Sequence, residues 1–115
     1  MKYRVSRLFV LLGALCASTA VTSAYAYDWT VEATVSLIEP TYVPTNIVFT
    51  VNAAAGSCAQ GTSLTWNAKG SDQPSKIANV QALLATLLSA KLSGKKIRIY
   101  GNNSGCTVDF LHFID

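Results

Sequence analysis

The sequence predicts a mainly β domain with one helix, its elements in the order β-β-β-α-β-β, held by one disulfide. Three observations carry that expectation. Apolar residues alternate with a period of two in several short runs, one long stretch has helical periodicity, and two cysteines remain once an N-terminal leader is set aside.

The leader comes first. Lys2, Arg4 and Arg7 precede an apolar run from Leu8 to Ala17 and a small-residue stretch ending in Ala24-Tyr25-Ala26. A basic start, a short apolar core and an A-x-A site predict a secretory signal peptide over 1–26, and a single domain over 27–115. The apolar run is too short to span a bilayer, and no later segment is a candidate. Cys16 falls inside the leader, and Leu15 before it is not the small residue that lipid anchoring requires. Of the nine Lys and Arg in the 115-residue chain, three belong to the leader, which leaves six cations against six acids. A neutral exported chain of this size excludes a basic nucleic-acid binder, a polybasic membrane-surface protein and a large enzyme. Export predicts a periplasmic or secreted location.

The segment Trp29 to Ile38 alternates: Trp29, Val31, Ala33, Val35 and Leu37 on one face, Thr30, Glu32, Thr34 and Ser36 on the other. It predicts a half-buried strand. Pro40 and Pro44 bracket a connection that presents Tyr42. A second strand covers Asn46 to Asn52, with Ile47, Phe49 and Val51 inward, and Ala53 to Gly61 is a loop. Ser63 to Asn67 is a third, short strand. Asp72 or Ser75 can cap the helix, Pro74 is tolerated in its first turn, and Gly94 ends it. Ile77, Val80, Leu83, Leu84, Leu87, Leu88 and Leu92 form its apolar stripe, and the opposite face of Ala78, Ala82, Ala85 and Ser89 is small and uncharged. Lys96 to Tyr100 and Cys106 to Ile114 are the closing strands. On the last of these, Cys106, Val108, Phe110 and Ile114 fall on one face, while Leu111 and Phe113 fall on the other as an exposed apolar strip.

This order of elements is that of the OB-fold, a small five-stranded Greek-key barrel with its helix between the third and fourth strands. A two-layer sheet packed on one helix is the competing arrangement, and five short strands, at least four of them alternating, favour the barrel. Cys58 and Cys106 form an even pair in an oxidising compartment, which predicts one disulfide between them. They do not show metal-site spacing with the single His112, so no metal or other cofactor is expected.

Catalytic constellations are scarce. His112 sits between Leu111 and Phe113, and Asp109 is on the opposite strand face. The match of Ser93-Gly94-Lys95-Lys96 to S-x-x-K falls at a helix end, where that chemistry does not operate. The carboxylates show no paired spacing. Lys95, Lys96 and Arg98 form a small basic cluster that suits a solvated strand face, and no nucleic-acid partner is expected. In OB-folds the first and last connections flank the binding face. Here they supply Tyr42 and Asn102, Asn103 and Ser104, a stacking ring and amides suited to sugar hydroxyls.

The run from Leu83-Leu84-Ala85 through Ser93-Gly94-Lys95-Lys96-Ile97-Arg98-Ile99-Tyr100 resembles the helix and following strand of the pentamer-forming B subunits of bacterial AB5 toxins, in their subtilase-cytotoxin and pertussis-like branches. That resemblance implies the OB-fold, ring assembly and glycan binding. The expected function is therefore an exported binding protein, not an enzyme, that self-associates and binds a glycan or cell-surface ligand. The expected interface is Ala78, Ala82, Ala85 and Ser89 on the helix with Leu111 and Phe113 on the last strand. The alternative is a monomeric periplasmic envelope protein, or an inhibitor whose exported partner is a wall-degrading enzyme.

Overall fold

A computed structural model describes residues 26–114; the expected signal peptide, Ala26 excepted, lies outside the described residues. The chain is mainly β with one helix. Its strands are β1 (Trp29–Ala33), β2 (Val35–Glu39), β3 (Asn46–Val51), β4 (Leu64–Asn67), β5 (Ile97–Asn102) and β6 (Thr107–Phe113), and helix α1 (Gln73–Ser93) stands between β4 and β5. They form one mixed sheet of six strands in the order β1-β5-β6-β4-β3-β2, with the β4–β6 pair parallel and the others antiparallel.

The count of six corrects the expected five, and the reason is local. The segment expected as one strand changes partner at Thr34: β1 pairs with β5, from Trp29↔Gly101 to Ala33↔Ile97, whereas β2 pairs with β3 from Val35↔Val51 onward. Asn52 braces the switch, its Oδ1 accepting from Thr34 N–H at 2.9 Å and its own N–H donating to Thr34 C=O at 3.1 Å. A bulge between Val35 and Leu37 then shifts the alternation. Leu37, expected inward, is exposed, and Ile38 packs against the core instead.

Period two holds elsewhere. Ile47, Phe49 and Val51 of β3, Leu64 and Trp66 of β4, and Ile97 and Ile99 of β5 are buried. Each such aliphatic or aromatic side chain contributes about 1.5–3 kcal/mol by leaving water. The helix is bounded as its sequence predicts. Asp72 accepts from Ser75 N–H at 2.8 Å, Pro74 lies in the first turn, and Gly94 takes φ 67° past the last. It packs on β2 and β3 through Val80, Leu83, Leu87 and Ala90. This face is narrower than the expected stripe. Leu88 and Leu92 lie about 100° and 140° round the helix from Leu87, and both are exposed.

Cys58 and Cys106 form the expected disulfide, with Cα atoms 6.0 Å apart. It ties the 53–61 loop, itself closed by two Ala55–Cys58 backbone bonds of 2.9 Å, to the β5–β6 turn. Cys58 is buried and Cys106 half-buried. No helix among the described residues is long and apolar enough to cross a membrane.

Candidate functional site

The expected loop residues are held by the chain itself. Asn103 Oδ1 accepts from Ser57 N–H and Asn103 N–H donates to Asp28 Oδ2, each at 2.9 Å, while Asn102 Nδ2 donates to Asp109 Oδ2. Bonds of this kind are worth about 1 kcal/mol each. Both asparagines thereby anchor the β5–β6 turn to the N-terminal segment, to the 53–61 loop and to β6. Ser104 is exposed, and its carbonyl accepts from the Thr107 hydroxyl at 3.3 Å. Tyr42 stands 54 % exposed on a turn closed by Val43 N–H to Pro40 C=O and Thr45 N–H to Tyr42 C=O, at 3.1 and 2.8 Å. That turn meets the C-terminal end of β4 through Asn46↔Asn67, whereas the β5–β6 turn meets its N-terminal end through Thr65↔Thr107. The structure does not bring Tyr42 and the Asn102–Ser104 turn together.

It does bring together a set of rings on the outer face of β1, β5 and β6. Inward Ile97 and Ile99 leave Arg98 and Tyr100 pointing out from β5. On β6 a bulge sets Gly101 opposite Val108 but Tyr100 opposite Phe110, so Asp109 is the extra residue. The bulge reverses the expected faces. Phe110 turns outward with His112, and Leu111, expected in an exposed strip, packs against the core. Phe113, opposite Ile97, remains 43 % exposed.

Two rows of cross-strand neighbours result, Thr30–Tyr100–Phe110 and Glu32–Arg98–His112. Tyr100 lies 5.6 Å from Phe110 and 5.8 Å from His112, Phe110 lies 5.5 Å from His112, and Tyr27 adds a fourth ring 5.2 Å from Tyr100. These are the separations of edge-to-face and tilted aromatic pairs. Phe110 is 49 % exposed. Beside the rings, the Arg98 guanidinium pairs with the Glu32 carboxylate, and the pKa of Arg98 is raised above its ordinary value by hydrogen bonding to Glu32 and then to Tyr100. His112 thus has rings on one side and a guanidinium strand partner on the other. Asp109 is engaged elsewhere, by Asn102 and by Lys69 at 3.8 Å.

Strict alternation hides this cluster, because it places Phe110 inward. The readable signal is the pair Phe110 and His112 two residues apart, with Tyr100 across a Gly/Asn-rich turn.

The helix contributes a second surface. Ala78, Ala82, Ala85 and Ser89 are all exposed, and the Thr86 and Ser89 hydroxyls fold back to the carbonyls of Ala82 and Ala85 at 2.9 and 2.8 Å. With Leu88 and Leu92, this face shows no charge. An open pocket of about 280 Å³, lined by residues including Pro44, Asn67, Gln73 and Lys76, carries one cation and no aromatic ring. Comparison with protein-family models, with curated proteins and with solved structures found no significant match.

Proposed function

We propose that this chain is a small exported binding protein, similar in kind to toxin B subunits. In this reading residues 1–26 direct export to the periplasm or the medium. Residues 27–115 form an OB-like barrel that self-associates and engages a glycan or cell-surface ligand. One observation carries the reading: Tyr27, Tyr100, Phe110 and His112 stand together on the solvent side of the sheet, with Phe110 half exposed. Grouped rings on a solvated face suit a ligand with an apolar face of its own.

The barrel is supported by the chain path. β1 and β2 are the outermost strands of the sheet order, yet they run on from each other through Thr34. One continuous strand thus serves both ends of the sheet order, the connection a Greek-key barrel uses, while no ladder joins β1 to β2 and the sheet itself is not closed. Self-association is supported by the charge-free helix face of Ala78, Ala82, Ala85, Ser89, Leu88 and Leu92, since a solvated helix face ordinarily carries charge. Recognition rather than catalysis is supported by the surroundings of His112, where among the described residues no carboxylate is paired with the ring to orient it.

The test uses protein recovered from the periplasm of cells expressing the full chain. Light scattering across micromolar concentrations is expected to give a multiple of the protomer mass. A glycan array is expected to show binding that Phe110→Ala reduces. A monomer that binds no glycan overturns the reading and leaves an envelope protein or an enzyme inhibitor.

A further inference from the structure

The aromatic face has a polar border of unusual composition. Glu32 on β1 lies directly opposite Arg98 on β5, which lies opposite His112 on β6. Arg98 donates from both Nε and Nη2 to one carboxylate oxygen, Glu32 Oε1, at 2.9 and 2.5 Å. Arg98 has five N–H donors in all; two serve Glu32 and one faces Tyr100, so two remain, and Glu32 Oε2 keeps its lone pairs. Both side chains stay well exposed, at 39 % and 45 %. The pair therefore presents donors and an acceptor side by side, at zero net charge, against the edge of the rings.

That combination complements two neighbouring hydroxyls on a sugar ring. Each hydroxyl donates once and accepts as well, so a vicinal diol can use the remaining Arg98 N–H groups and Glu32 Oε2 together. The ring's C–H face can meanwhile lie on Phe110 or Tyr100. A carboxylate has no proton to offer Oε2. It would have to approach Arg98 past a like charge already holding two of its donors. Lys96, two positions before Arg98 on the same side of the chain, is an exposed cation one row further on, so the neutrality belongs to the Glu32–Arg98 row itself.

We infer that the Glu32–Arg98 pair is a specificity element of the β1–β5–β6 face, selecting neutral pyranosides with vicinal hydroxyls and rejecting carboxylated sugars. The inference rests on the reading of that face as glycan-binding. Glu32 is a specificity residue in this assignment, acting both by its own acceptor oxygen and by neutralising Arg98.

The experiment titrates full-chain periplasmic protein with neutral tetrasaccharides (cellotetraose, maltotetraose, chitotetraose) and with tetragalacturonate, and runs the same array for other glycans. Wild type is expected to bind at least one neutral tetrasaccharide and to ignore tetragalacturonate. Tyr100→Ala and Phe110→Ala each lose about tenfold in that affinity. Glu32→Gln lowers neutral binding by a few-fold, as expected for about one hydrogen bond, and raises tetragalacturonate binding by about tenfold or more as Arg98 is released. Circular dichroism of Glu32→Gln is expected to match wild type, because an exposed ion pair contributes little to stability. A wild type that binds anionic glycans and not neutral ones overturns this inference while the glycan reading stands. Unchanged selectivity in folded Glu32→Gln does the same. A protein that binds no glycan removes both.

Discussion

Trp29 is wedged between two glycines from distant parts of the chain. A Cβ at Gly56, in the disulfide-tied loop, or at Gly101, in β5, would run into its indole ring, and at Gly101 into the Thr107 carbonyl as well. Gly101 therefore allows the strand to cross the ring in contact with it. Gly101→Ala is expected to destabilise the fold by about 1–3 kcal/mol through overpacking, read as a lower midpoint in urea with an unchanged slope. A neutral effect there would mean that the ring is not held between the two segments. Asp72 acts at the same scale by capping α1. Its carboxyl is held below the ordinary range by hydrogen bonds from Ser75, so its contribution is complete above the unfolded-state carboxylate range. It is lost as pH falls through the lowered folded-state value. Asp72→Asn keeps the side-chain acceptor but cannot titrate. The variant is expected to show less loss of Tm on acidification than wild type, whereas Asp72→Ala lowers Tm at neutral pH as well.

The elements were legible in the sequence wherever local chemistry decides them. Asp72, Pro74 and Gly94 mark both ends of α1, and the alternation through Ile47, Phe49 and Val51 marks β3, because caps and pleats involve only near neighbours. What the sequence hides depends on partners far along the chain. The switch at Thr34 needs β5 on one side and β3 on the other, and the extra residue Asp109 is defined only by the register with β5. That one-residue slip turned Phe110 outward and Leu111 inward, so the ring cluster stayed hidden while Tyr42 and Asn102 to Ser104 stood out as loop residues. Helix leucines mislead for a related reason. Their spacing makes a broad stripe, but packing on β2 and β3 covers a narrower one ending at Ala90, which leaves Leu92 86 % exposed. If this face meets a second copy, Ala85→Glu disperses the assembly to protomer mass in light scattering. On a solvated monomer the same change alters stability by no more than about 0.5 kcal/mol.

For the molecule as a whole, the disulfide closes a separation of 48 positions in a domain with a thin core. Removing that constraint from the unfolded chain is expected to cost about 4 kcal/mol, so the Cys58→Ser/Cys106→Ser double variant should unfold at much lower urea. Thiol titration of denatured, unreduced wild type over the described cysteines should find none free. The partner switch at Thr34 also sets an order of assembly. β2, β3 and β4 meet through short connections, but β1 meets β5 only after the chain through α1 has been laid down, since Trp29 must find Gly101 and Ala33 must find Ile97. Loop-closure entropy delays such pairings. In pulse-labelled hydrogen exchange during refolding with the disulfide intact, amides of β2 and β3 should gain protection before those of β1. The residues on either side of Thr34, adjacent in sequence, would then become native at different times, the later half waiting on the far end of the chain.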